Sequence, residues 1–219
     1  MKKIVIIGNG SYARMMNQYL KMSGREAVCA YAVDGCCIEE PELDGIEVIS
    51  LERLKDEFPC DQYDLIMGIG YVQMAQIRKR IFEQCKAWGY HFENYIHPSA
   101  IISPDANLGE GNNILEGVIV EMGVSIGNAN LFFGGSIVGH ESRVGDYNTF
   151  SISAKVAGVV TVGNNCFLGI GSAVKDHVTI SDYVLLGATA YGFKDMEEYS
   201  VVVPAKSEIL KDKKSVDFL

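Results

Sequence analysis

Ile114-Leu115-Glu116-Gly117-Val118-Ile119-Val120-Glu121-Met122-Gly123-Val124-Ser125-Ile126 carries an apolar residue at every sixth position: Ile114, Val120 and Ile126. The beat starts upstream at Ile96, Ile102 and Leu108. It continues through Phe132, Val138, Val144, Phe150, Val156, Val162, Leu168, Val174 and Ile180 to Leu186 without a miss. A helix repeats at about 3.6 residues and a strand at 2, so neither element alone produces a strict six. Six is the period of a parallel β-helix, in which short faces turn a corner and each apolar residue enters a narrow core. A second period nests over the first. Gly109, Gly127, Gly145 and Gly163 lie eighteen apart, each followed by Glu110, Asn128, Asp146 or Asn164, and Asn112, Asn130 and Asn148 repeat at the same interval. Eighteen is three sixes, so one turn has three faces and equivalent corners stack. Glycine at such corners is expected to supply backbone angles that a Cβ penalises. The asparagines are expected to bond along the stack.

Working outward, the N-terminal stretch reads as alternating strands and helices. Residues 3–8 form a buried strand, a Gly-rich turn follows, and a helix runs over Ser11–Met22. Further strands fall at Val28–Val33, 47–49 and 64–69, with helices at Leu51–Glu57 and 73–87. This order implies a parallel α/β sheet. The expected domains are 1–94, 95–190 for the coils, and 191–219 for a C-terminal return strand and tail. Met-Lys-Lys before Ile4 imitates the start of a signal peptide, but Gly8 ends the apolar run after four residues, too short for an export signal's core.

The chain has 219 residues, 48% of them apolar, and a net charge of −9. That balance argues against a general nucleic-acid or membrane-surface role, and no run approaches the roughly twenty apolar residues of a membrane span. The six cysteines have no framework spacing and are expected to be free thiols in the cytoplasm. Phe132, Phe133 and Phe193 are assigned to outer faces, where they would favour a trimer.

Two places carry chemistry. Gly8-x-Gly10-x-x-Ala13 ends a strand and opens a helix, the setting in which backbone amides meet a phosphate. Asp34, ending the second strand, is placed to bond a sugar hydroxyl. A tight turn without ligand is the plain alternative. An NAD site is disfavoured, since some ninety residues make only half a dinucleotide fold. His140 stands two places after Val138, hence at a corner pointing outward. Gly158 lies one turn above it and leaves an open shelf. Glu141 follows, and a carboxylate beside an imidazole fixes its tautomer. No metal is expected: His140 and His177 do not stack, and a catalytic zinc wants three converging ligands. Cys166, inward in its hexad, is a poor nucleophile.

Several of these features together resemble one family. They are Gly8-Asn9-Gly10-Ser11-Tyr12-Ala13, Ile96-His97-Pro98-Ser99-Ala100, Gly139-His140-Glu141, Ala157-Gly158, the run from Gly163 to Gly169, and Val203-Pro204-Ala205-Lys206. They look like the hexapeptide-repeat sugar acyltransferases related to sialic acid O-acetyltransferase and the nucleotide-aminosugar N-acetyltransferases. The resemblance implies a Rossmann-like half domain followed by a left-handed parallel β-helix, and a homotrimer. It also implies an acetyl-CoA-dependent transfer to the amino group of a nucleotide-linked aminosugar. By position, Gly8, Gly10, Ser11, Tyr12 and Asp34 would line the nucleotide pocket. Gly158, Gly169 and Ile170 would contact acetyl-CoA in a groove between subunits. His140 would be the general base and Glu141 its partner. The chain reads Gly10-Ser11-Tyr12 where the family often has Gly-Gly-His, and Thr149 stands near the place of a second histidine. Sugar O-acetylation, or a non-catalytic trimer that binds nucleotide sugar, remain the alternatives.

Overall fold

The computed structural model describes residues 2–24, 28–207 and 216; the charged stretch at 211–214 lies outside them. The N-terminal sheet takes β1 (Lys3–Ile7), β2 (Val28–Val33), β3 (Glu42–Leu43), β4 (Ile46–Ser50) and β5 (Tyr63–Met67) in the order β3-β4-β2-β1-β5. All pairs are parallel except the β3–β4 hairpin, which the sequence pattern did not reveal. β1 lies between β2 and β5 and is buried on both faces. Val5 and Ile7 join one apolar cluster, and Ile4 and Ile6 join another. The helices are α1 (Ser11–Met22), α2 (Leu51–Glu57) and α3 (Gln76–Ala87). The helix expected from residue 73 starts three residues later. Gln73, Met74 and Ala75 hold left-handed φ values of 53°, 50° and 62°, and Val72–Ala75 is a 3-10 turn instead.

The remaining chain winds into three parallel sheets. The first face carries Ile119–Val120 and Ile137–Val138, the second Ser125–Ile126 and Arg143–Val144, the third Asn113–Ile114 and Leu131–Phe132. Pairing joins residues eighteen apart, as Val120 to Val138 and Val138 to Val156. These sheets form the left-handed parallel β-helix expected from the hexads. From Ile114 to Leu186 every member of the six-residue series is at most 4% exposed. Each contributes about 1.5–3 kcal/mol by leaving water. Leu108 and Ile102 are partly buried against this core, and Ile96 is exposed, because the first coil has no coil beneath it. Phe132 also belongs to the core, its ring 4.8 Å from that of Phe150. Phe133 packs against the α/β domain. Of the three phenylalanines assigned to outer faces, only Phe193 is exposed.

The corners work differently from the expectation. Gly109, Gly127, Gly145 and Gly163 do not have positive φ. They are required by close approach: a Cβ on Gly127 would stand 2.2 Å from Asp146 Oδ1 and 2.8 Å from Gly145 O. From Leu108 onward, the left-handed position lies three residues after each core residue. It holds Gly111, Gly117, Gly123 and Gly135, but also Glu141, Tyr147, Ser153 and Val159. The side chain just before the left-handed position closes one stack. Asn128, Asp146, Asn164 and Asp182 accept the backbone N–H of the residue eighteen earlier at 2.6–2.9 Å. The buried asparagine ladder starts one coil sooner than expected, at Asn94. It runs through Asn112, Asn130 and Asn148 to the N–H of Cys166.

The α/β domain covers the third face. Asn113 Nδ2 donates to Met67 O at 2.6 Å and to the Tyr12 hydroxyl at 2.9 Å. Leu131 and Thr149 are buried there, and the Tyr71 ring lies 5.0 Å from that of Phe167. At the far end the ladder continues through Tyr191–Gly192, paired in register with Ala173–Val174. Val201–Val202 pairs parallel with Leu185–Leu186, so it adds a strand to the third face rather than running back.

Candidate functional site

Gly8, Gly10, Ser11, Tyr12 and Asp34 line one cavity of about 400 Å³ at the carboxyl ends of β1 and β5, the side on which open α/β sheets bind ligands. Gly8 has φ +115°, and a Cβ there would stand 2.8 Å from Gly68 O. The two glycines let the β1 and β5 ends meet. At Gly10, which lines the cavity, a Cβ would meet nothing within 4 Å. Helix α1 begins here without a side-chain cap or an acid in its first turn. Its first N–H groups and its dipole are therefore available to an anion. Ile69, Tyr71, Val72, Ile77 and Ile81 supply an apolar wall. The Asp34 carboxylate is held by the Arg80 guanidinium, and lone pairs remain on it to accept a further hydroxyl. The Tyr12 hydroxyl reaches Asn113 on the β-helix. Burial holds its phenol well above the usual range, so it stays protonated.

His140 occupies the corner between the first and second faces, its side chain 53% exposed. Its ring does not stand beside an open shelf but lies across Gly158. A Cβ at Gly158 would fall 2.3 Å from His140 Nε2 and 2.5 Å from Cε1. Nδ1 is 3.6 Å from Glu141 Oε2, beyond hydrogen-bond length but within ion-pair reach. Glu121 fixes the backbone, its Oε2 accepting the His140 N–H at 2.8 Å. Beneath the histidine runs a groove of about 490 Å³ lined by Ile101, Ile119, Glu121, Met122 and His140. Gly169 and Ile170 lie on another edge, between the third and first faces. Gly169 is buried where a Cβ would strike Ala188 N at 2.6 Å, and Ile170 is exposed. One chain therefore brings His140, Glu141 and Gly158 together and keeps Gly169 and Ile170 apart from them.

Residues 3–85 match the family described as the PglD N-terminal domain. The whole fold resembles perosamine N-acetyltransferase from Caulobacter crescentus, solved as a histidine-to-asparagine variant with CoA and GDP-perosamine. The identity is 27%, the TM-score 0.82, and 92% of this chain and 93% of that one are covered. In fold the chain is similar to the hexapeptide-repeat sugar acyltransferases. The acetyltransferase domain of PglB from Neisseria gonorrhoeae FA1090 shares the fold at 21% identity, with a TM-score of 0.81 over 94% of this chain and all 100% of that domain. Comparison of the sequence with curated proteins finds no significant match.

Thr149, near the place of a second histidine in some relatives, is bonded away from the groove in this chain. It is buried in the domain interface, where its Oγ1 accepts from Arg78 at 3.2 Å. Sequence reading missed both arginines of Arg78-Lys79-Arg80, a basic run on a helix that resembles any solvated face. Cys166 is buried, and burial pushes its thiol up to about 12, which keeps it protonated and unreactive.

Proposed function

We propose that the protein transfers an acetyl group from acetyl-CoA to the amino group of a nucleotide-linked aminosugar, within a homotrimer. The observation that carries this reading is His140 seated on Gly158 at an exposed groove, with Glu141 against Nδ1 and Nε2 left for a substrate proton. The anion-ready cavity at the start of α1 supports a nucleotide diphosphate as the acceptor's handle. The CoA and GDP-perosamine bound by the Caulobacter enzyme support the pairing of substrates.

In this mechanism the neutral amine attacks the thioester carbonyl. A C–N bond forms, the carbonyl becomes an oxyanion, and Nε2 takes the proton as the nitrogen turns cationic. Glu141 and Glu121 offset the imidazolium charge. The C–S bond then breaks, and the departing thiolate recovers the proton from His140. A backbone N–H at the corner near Gly158 would serve the oxyanion. Acetyl-CoA would lie between copies, against Gly158 of one edge and Gly169 and Ile170 of the neighbour's edge. Both edges carry exposed apolar side chains, Met122 and Val159 on the first, Ile152 and Ile170 on the second.

The test is incubation of the protein with acetyl-CoA and matched nucleotide sugars carrying an amine or a hydroxyl. CoA release and product mass are followed. Faster acetylation of the amine is the expected result. Preference for the hydroxyl would make the protein an O-acetyltransferase, and absence of acetyl-CoA binding would make it a non-catalytic binder.

A further inference from the structure

Arg78 is completely buried in the interface between the α/β domain and the β-helix. Every partner of its guanidinium is neutral. Nη1 donates to Gly70 O at 2.8 Å, and Nη2 donates to Tyr147 O, Asn148 O and Thr149 Oγ1 at 2.7, 3.0 and 3.2 Å. Nε has no partner. A buried charge is normally paired, because desolvation penalises it strongly. Burial lowers the Arg78 pKa to about 10, which still leaves it cationic at neutral pH.

The place of this charge is informative. Gly70, whose carbonyl it holds, and Tyr12, whose phenol feels its field, both line the cavity at the start of α1. The Gly70–Tyr71 peptide is trans, so its carbonyl and its N–H point in opposite directions. With the carbonyl turned inward to Arg78, the Tyr71 N–H turns away from it, on a loop that forms the cavity wall. No protein acceptor takes that N–H among the described residues. The acid on the cavity wall, Asp34, is already neutralised by Arg80.

We propose that Arg78 is a positioning residue for the diphosphate: it aims the Tyr71 N–H at the anion and supplies a buried countercharge one peptide away. The inference rests on the reading of this cavity as a nucleotide-diphosphate site. Unlike exposed Arg80, a cation held inside the protein is screened little by salt. Its field favours a charged ligand and ignores an uncharged one.

Calorimetric titration of the full-length protein with guanosine and GDP, and with uridine and UDP, tests this. For whichever diphosphate binds, the measured quantity is its affinity relative to its own nucleoside. Arg78→Met should lower that ratio about tenfold while leaving nucleoside affinity unchanged, and Arg78→Lys should restore part of it. In the wild type the ratio should change less than about twofold between 50 and 500 mM NaCl, and this arm stands even where Arg78→Met fails to fold. An unchanged ratio in a folded Arg78→Met protein, an equal loss for nucleoside and diphosphate, or collapse of the wild-type ratio in salt would each overturn the role of Arg78. Wild-type protein that binds neither diphosphate would instead overturn the cavity's assignment, and this inference with it.

Discussion

At the scale of single residues, His140 and Gly158 act as one unit, because the imidazole occupies the space that any side chain at 158 would need. Gly158→Ala should therefore lower kcat at least about tenfold by rotating the ring off its seat, beyond any weakening of acetyl-CoA binding. His140→Ala should lower kcat by about 10²–10⁴ and leave both KM values nearly unchanged, since the base meets its proton only as the transition state forms. Neither change touches the core, so melting temperatures should hardly move. Steady-state kinetics of both variants and the double variant checks the coupling. In the double variant the loss should equal that of His140→Ala alone, whereas multiplying losses would mean that the two residues act separately. The outward corner and its glycine neighbour were legible in the sequence, because both follow from counting eighteens. That the ring fills the shelf was not, because spacing fixes which residues stack and says nothing of a side-chain rotamer.

At the scale of elements, the stack is held by an apolar core and an asparagine ladder, both with a sequence signature, and turned by corners that have none. The core hexads are legible because each apolar residue must enter the same narrow interior. The left-handed corner residues are not. From Leu108 onward the backbone takes a positive φ at every corner, and Tyr147, Val159 and Thr189 adopt it where other corners use glycine. The coil's own hydrogen bonds pay for that strain. The Asn ladder supplies much of the bonding. Asn130 Oδ1 accepts the buried Asn148 N–H at 2.7 Å, while its Nδ2 donates to Asn112 Oδ1 and Gly145 O, both at 3.0 Å. Asn130→Ala should destabilise the protein by about 1–3 kcal/mol, the penalty for leaving a buried N–H unmet. Urea unfolding followed by circular dichroism measures it. An unchanged midpoint would show that water replaces the amide. The same ladder could have been extended to Asn94 by stepping back one turn from Asn112. The register of α3 could not have been read, because nothing in Gln73-Met74-Ala75 announces three left-handed residues.

At the scale of the whole molecule, the α/β domain sits on the third face of a three-sided prism, and His140 projects from the edge between the other two faces. A chain's own cavity and its own histidine thus lie on opposite sides of the β-helix core. Under the proposed function, an aminosugar held by its nucleotide in one chain would be acetylated at the histidine of another. This arrangement predicts complementation between two inactive variants. His140→Ala removes the base and leaves the cavity intact. Gly10→Trp puts a bulky ring on the cavity's lining, where a Cβ would meet no atom within 4 Å, and leaves the histidine intact. Each alone should be inactive with a nucleotide aminosugar. Mixed in equal amounts by co-expression, the two should regain about a quarter of wild-type activity, the chance that a site between neighbours draws an intact half from each. Mixing the finished proteins without subunit exchange should restore nothing. Co-expressed variants that stay inactive, in particles shown by light scattering to contain both chains, would mean that each chain serves its own histidine. A particle of 24 kDa would rule out the shared site altogether, since that is the mass of a single chain.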